Sequence, residues 1–280
     1  MDRTGPLRLH TYGSIGPPVI VLHGGPAAVG TAAPLARGLA DTFMVFEPWQ
    51  RGSGAVPLTV GQHVADLHAL VLDRCGAARP AIVGHSWGAM LALAYAAAHP
   101  ATAGPIVLVG CGTFDPVARA RMKAIFAERT DSAMKGRLEH LVEEYPNPGD
   151  QLIQRHELTE KLYTYAPIAK AERDEGPTEP FDIRAHDETW GDMIRLQEAG
   201  IYPAGFAAIT SPVLMLHGAY DPHPGQMIRA SLLPHLPHLE YREWEQCGHY
   251  PWREQFVREE FFAVLRDWLA HQLTASPSAH

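Results

Sequence analysis

Short apolar runs constrain this chain more than any other feature: VIVLH at 19–23, FMVFE at 43–47, AIVGH at 81–85, IVLVG at 106–110 and VLMLH at 213–217. Most are flanked by Gly or Pro. Each is too short for a helix. Each is continuous rather than alternating, which is the pattern of a strand covered on both faces. Helical stretches lie between them. The stretch 59–75 puts Val64, Leu67, His68, Val71 and Leu72 on one face, and 86–98 is rich in Ala and Leu. Strand–helix alternation of this kind predicts a mostly parallel, doubly wound α/β sheet. A further strand is expected around LEYREW, and an amphipathic helix at about 254–270 closes the pattern.

The pattern breaks between 112 and 208. Apolar strand runs vanish, charges rise, and amphipathic pieces such as ARARMKAIFAERT and AMKGRLEHLVEEY appear, separated by the turn-rich YPNPGD and EGPTEPF. The expected organisation is a core domain built from 1–111 and 209–280, with a helical cap insertion at 112–208. No internal repeat or heptad pattern is present.

Charge and cysteine usage narrow the function classes. With 23 Lys+Arg against 31 Asp+Glu the net charge is −8, so the chain lacks the basic stripe that nucleic-acid binding needs. Cys75, Cys111 and Cys247 have no regular spacing and read as reduced thiols of a cytoplasmic protein. The start, MDRTGPLRLH, has no basic region followed by an apolar stretch and a cleavage site. No apolar run reaches the roughly eighteen residues of a membrane span. The 16 histidines are scattered without HExxH or paired Cys/His spacing, so no metal site is expected.

The strongest chemical signal is Gly84-His85-Ser86-Trp87-Gly88, after the strand AIVGH and at the start of the helix WGAMLALAYAAA. A G-x-S-x-G segment in that setting lifts a serine hydroxyl onto a sharp strand-to-helix turn, the position of a nucleophile. His23-Gly24-Gly25-Pro26 follows the strand VIVLH. A Gly-Gly pair there lets backbone N–H groups approach an oxygen that becomes negative during acyl transfer. The expected donors are the Gly25 and Trp87 amides, with Gly24 beside the substrate. An acid and a base should follow in the order Ser, acid, His. Asp221, in Gly218-Ala219-Tyr220-Asp221-Pro222, and His249, in Gln246-Cys247-Gly248-His249, fit that order. Asp115 is the alternative acid; His217 and His223 are weaker candidates for the base. Cys247 and Cys111 read as packing thiols.

These residues resemble the proline iminopeptidase branch of the α/β-hydrolases. The motifs that carry the resemblance are His23-Gly24-Gly25-Pro26-Ala27, Gln50-Arg51-Gly52-Ser53-Gly54, the Ser86 segment, the Asp221 loop and Gly248-His249. They lie within 15–111 and 211–270; the cap shows no such match. The resemblance implies an α/β-hydrolase fold, a Ser-His-Asp triad, no cofactor, and hydrolysis of an ester, lactone or amide in a small molecule or short peptide. The chain departs from the pattern at Ala27, at Trp49 where an Asp is usual, in a short loop after Gly54, and at Pro222 where peptidases of the branch can carry a Glu. A peptidase must also neutralise a buried ammonium. Among the cap carboxylates, which include Glu188, Glu198 is the candidate for that role.

Overall fold

The computed structural model describes residues 7–169 and 179–275. Among these residues seven strands form one sheet in the order β1-β3-β2-β4-β5-β6-β7. They are β1 (Arg8–Tyr12), β2 (Pro18–Leu22), β3 (Met44–Trp49), β4 (Ala81–His85), β5 (Ile106–Val109), β6 (Val213–Gly218) and β7 (Glu240–Trp244). Only β1 runs antiparallel, against β3; the other neighbours are parallel. The five apolar runs thus became β2 to β6, and LEYREW became β7. The edge strand β1 has no apolar run to announce it, because RLHTY leaves Arg8 and Thr11 exposed and buries none of its residues fully.

The central strands are buried on both faces, and alternate residues divide between two cores. Ile20, Leu22, Ile82, Ile106, Leu108 and Met215 face one core with α2 (Val60–Cys75), α3 (Trp87–Ala98) and α8 (Gly225–Leu232). Val19, Val21, Val45, Val83, Val107 and Leu216 face the other with α1 (Ala33–Arg37) and α9 (Arg258–Ala275). Helix α2 starts where Thr59 accepts a hydrogen bond from the Gln62 amide at its N-terminus. Helix α3 is buried nearly all round, which explains its unbroken run of Ala and Leu.

Between β5 and β6 the chain forms α4 (Pro116–Arg129), α5 (Ser132–Glu144), α6 (Pro148–Tyr163) and α7 (Ile183–Glu198), then a short 3-10 turn at Ala204–Ala208. The break at YPNPGD separates α5 from α6, as expected; most of EGPTEPF lies outside the described residues. The end of this stretch is packed onto the sheet: Met193 and Phe206 are buried in the same cluster as Trp87 and Tyr95. Helix α7 also ties down the loop before α2. Asp182 accepts from the Ser53 amide and hydroxyl, Glu188 from the Leu58 amide and Asp192 from the Val60 amide. No described helix is long and apolar enough to cross a membrane.

Candidate active site

Gly24, Gly25, Gln50, Ser86, Asp221 and His249 lie at the carboxyl edge of the sheet, after β2, β3, β4, β6 and β7. After β2 the chain turns back to β3 on one side, and only then crosses by α2 to β4 on the other. Such a reversal of strand order opens a crevice at that edge, where α/β sheets place their ligands.

Ser86 sits in the turn between β4 and α3 with φ 55° and ψ −116°. A serine in that region is strained and persists only when its surroundings hold it. Here they do. The Ser86 amide donates to the Val109 carbonyl of β5 at 2.9 Å. The flanking glycines admit no substitute: a Cβ on Gly84 would lie 2.2 Å from the Gly88 carbonyl oxygen, and one on Gly88 would lie 2.4 Å from that of Leu22. Strand, helix and the neighbouring strand β2 therefore touch backbone to backbone around the serine.

Gly24 packs against Ser86; a Cβ there would lie 3.1 Å from the serine's own Cβ. Gly25 follows with φ 108°, a conformation left to glycine. His23 is fully buried behind this turn. Its Nε2 accepts from the Gln50 amide at 3.1 Å, so its Nδ1–H donates to the Gly24 carbonyl at 3.0 Å. Burial lowers the pKa of His23 to about 4, which keeps it neutral. The Gln50 side chain donates to the His23 carbonyl and accepts from the Trp87 indole at 2.8 Å. Gln50 thus clamps the Gly24-Gly25 turn to the first residue of α3. The Trp87 amide is among the first-turn amides that have no partner inside the helix. Gln50 was legible only as part of the Gln50-Arg51-Gly52 resemblance; nothing in local periodicity marks it.

Asp221 and His249 are brought together across 28 residues of sequence: Nδ1 of His249 donates to Oδ2 of Asp221 at 2.6 Å. Both are buried. The two loops meet at main-chain contact, with the Tyr220 amide donating to the Cys247 carbonyl. A Cβ on Gly218 would lie 2.2 Å from that carbonyl oxygen. His249 also packs on Gly110, one residue past the Val109 carbonyl that anchors Ser86; a Cβ on Gly110 would lie 2.9 Å from its Nδ1. Serine and histidine therefore flank the same two residues of β5 and its turn. Burial would raise the Asp221 pKa, but the facing His249, His223 and His217 hold it well below the usual carboxylate range. Burial lowers the pKa of His249, against the pull of Asp221.

Two groups behind His249 were missed in the sequence. The His249 amide donates to the Tyr163 carbonyl at the end of α6, at 2.7 Å. Glu254, fully buried, accepts from the amides of Gly248, Tyr165 and Ala166. The stretch after α6 is thereby stitched to the histidine loop. Neither link has a local signature, because each joins segments about ninety residues apart through backbone groups.

The alternatives have other employment. Asp115 caps α4 by accepting from the Ala118 amide. His217 is buried and donates from Nε2 to the His223 carbonyl. Cys111 and Cys247 are buried, and burial pushes both thiols up, away from the reactive thiolate. The donor atoms of Asp221, His223 and His249 lie within 4.8 Å of one another. The two rings are stacked, with 19° between their planes, and both Nδ1 atoms face the carboxylate. Each ring donates to a different oxygen of Asp221. Glu198 is not brought to this cluster. It is exposed at the last turn of α7, about 180° round the helix from Thr189, the centre of the buried Ala185, Thr189 and Met193 face. Glu188 is committed to the Leu58 amide and Arg184.

The chain belongs to the alpha/beta hydrolase family, whose model matches residues 19–263. Its relatives are hydrolases. It is 26% identical to 2-hydroxy-6-oxononadienedioate/2-hydroxy-6-oxononatrienedioate hydrolase 2 of Pseudomonas putida, over 95% of this chain and 92% of that protein. It is 39% identical to the proline iminopeptidase of Neisseria gonorrhoeae over 104 residues, 34% of this chain and 33% of that one. The fold is similar to that of proline iminopeptidase from Mycobacterium smegmatis, with a TM-score of 0.65 at 19% identity, covering 95% of each chain.

Proposed function

We propose that this protein is a serine hydrolase that cleaves a small-molecule ester, lactone or amide through Ser86, His249 and Asp221. The observation that carries the reading is the strained Ser86 turn, held against Val109 while the 2.6 Å His249–Asp221 pair packs on the adjacent Gly110. In this reading His249 takes the Ser86 proton as the hydroxyl attacks a carbonyl carbon. The Gly25 and Trp87 amides meet the oxygen that becomes negative. His249 then hands its proton to the leaving group, and water repeats the sequence on the acyl-enzyme. Asp221 keeps the imidazole in the Nδ1–H form and stabilises its cation. Residues 112–208 act as the cap over the crevice.

A prolyl aminopeptidase is the second reading, favoured by the 39% identical segment shared with the Neisseria gonorrhoeae enzyme. Against it, Glu198 is exposed at the end of α7 and Glu188 already accepts from the Leu58 amide and Arg184. The Pseudomonas putida relative, matched along nearly the whole chain, supports a small-molecule substrate. The test is turnover of a short-chain acyl nitrophenyl ester, a prolyl anilide and a 2-hydroxy-6-oxo dienedioate, wild type against Ser86→Ala. Ser86→Ala should lose about 10⁴-fold or more on whichever substrate the wild type accepts. Anilide cleavage alone would transfer the assignment to the peptidase reading. Saturable ligand binding with turnover at background would make it a ligand-binding member of the fold, and equal rates in wild type and variant would remove Ser86 from the mechanism.

A further inference from the structure

Asp221 has more partners than an acid–base pair requires. Oδ2 accepts from His249 Nδ1 at 2.6 Å and lies 3.3 Å from His217 Nε2. Oδ1 accepts twice from His223, from its amide at 2.9 Å and from its Nδ1 at 2.9 Å. The His223 and His249 rings are stacked with centroids 4.6 Å apart. An Asp side chain accepting from the amide two residues on is an ordinary turn contact. A second imidazole on the other carboxylate oxygen, stacked on the first, is not required by the turn.

We propose that His223 is a positioning residue of the reaction, sharing the Asp221 carboxylate with His249 and so setting how strongly that carboxylate holds the His249 imidazolium. The proposal rests on the triad reading above. Its physics is simple. A carboxylate whose negative charge is divided between two donors attracts each less than one donor alone. A neutral His223 draws charge to Oδ1 through its hydrogen bond, and a protonated His223 repels the His249 cation directly. Both effects have the same sign, so both favour the neutral, proton-accepting form of His249.

The other groups facing the pair do not supply this control. From β4, His85 is fully buried and held neutral by burial, and its Nε2–H donates to the His249 carbonyl. From α6, the Tyr163 ring lies against both imidazoles, and burial keeps its phenol protonated. From β6, His217 spends its Nε2–H on the His223 carbonyl, and its Nδ1 is buried without a partner. On the histidine's own loop stand Tyr250 and Arg253, whose guanidinium lies over the Tyr250 ring, and the Glu254 carboxylate behind the Gly248 amide.

The experiment uses the full chain with His223→Phe, which keeps a ring stacked on His249 but removes the donor. His223→Asn sets an uncharged donor where Nδ1 stood. The His249 ring is titrated by NMR on nitrogen-labelled histidine, in wild-type and Ser86→Ala backgrounds, and the acid limb of kcat/KM is followed on the acyl nitrophenyl ester. His223→Phe should move the His249 midpoint upward by about half to one pH unit, with the acid limb following, and His223→Asn by less than half as much. A midpoint that stays put or falls in His223→Phe overturns the proposal, as does an equal shift in both variants. Undiminished turnover in Ser86→Ala overturns the triad reading instead, and the NMR midpoint still reports separately on whether His223 acts on His249.

Discussion

At the scale of single residues, the site is a set of groups whose ordinary chemistry has been changed by burial and by their nearest neighbours. Asp221 is denied water yet held charged by three imidazoles; His249 is denied water and held neutral. A buried carboxylate replaced by its amide can no longer fix the Nδ1–H tautomer, so Asp221→Asn should lower kcat by about 10⁴-fold with the fold intact. Steady-state kinetics beside a circular-dichroism spectrum would check this, and a loss under tenfold would demote Asp221. The direction of the His249 shift sets the pH dependence. In the proposed mechanism protonation of His249 removes the base, and burial depresses its pKa, so kcat/KM should fall only at pH values below the ordinary imidazole range near 6.5.

At the scale of elements, the carboxyl edge works because loops from separate strands meet main chain to main chain. Gly84, Gly88, Gly110, Gly218 and Gly248 are the points of closest approach; at Gly248 a Cβ would come within 2.0 Å of the Tyr163 carbonyl oxygen. Glu254 joins the end of α6 to the histidine loop by accepting three amides. Truncating it leaves those buried donors without a partner, each worth about 1–3 kcal/mol. Glu254→Ala should therefore destabilise the protein by several kcal/mol and lower kcat more than it raises KM. Denaturant unfolding together with kinetics tests this, and unchanged stability would show that the three amides find other acceptors.

At the scale of the whole molecule, the helical stretch and the sheet share a core. Met193 and Phe206 lie in one cluster with α2, α3 and α8, and His63 of α2 meets Thr189 of α7 at 2.9 Å. The molecule also carries imidazoles buried in neutral form. Burial lowers His23 and His63 from 6.5 to about 4 each. Their stabilising contribution is complete above the unfolded value and is lost as pH falls from 6.5 toward 4, because the unfolded chain binds protons that the folded chain refuses. Between pH 7 and pH 5 the loss is roughly 2 kcal/mol for each group. Thermal unfolding across that range should show Tm falling by on the order of 10 °C. A Tm that holds level or rises toward pH 5 would mean that neither histidine is held neutral by burial.

Local sequence was enough for the sheet and for the Ser86 turn, because both are written in contiguous residues. A strand covered on both faces must be apolar at every position, so β2, β4, β5 and β6 announced themselves, and a serine between two glycines at a strand–helix junction carries its own geometry. The order of acid and histidine along the chain was legible for the same reason: each follows a recognisable strand and a Gly. The edge strand β1 and short α1 escaped notice because half-exposed elements need no distinctive pattern. Glu198 looked as eligible as any acidic residue until the helix face was known; rotation about α7 put it in solvent. It took the folded chain to share Asp221 between His249 and His223, to clamp the Gly24 turn to Trp87 through Gln50, and to join the end of α6 to the His249 loop through Glu254. Those contacts join residues distant in sequence at hydrogen-bonding range. No local propensity encodes them, and they exist only once the sheet has brought its carboxyl ends together.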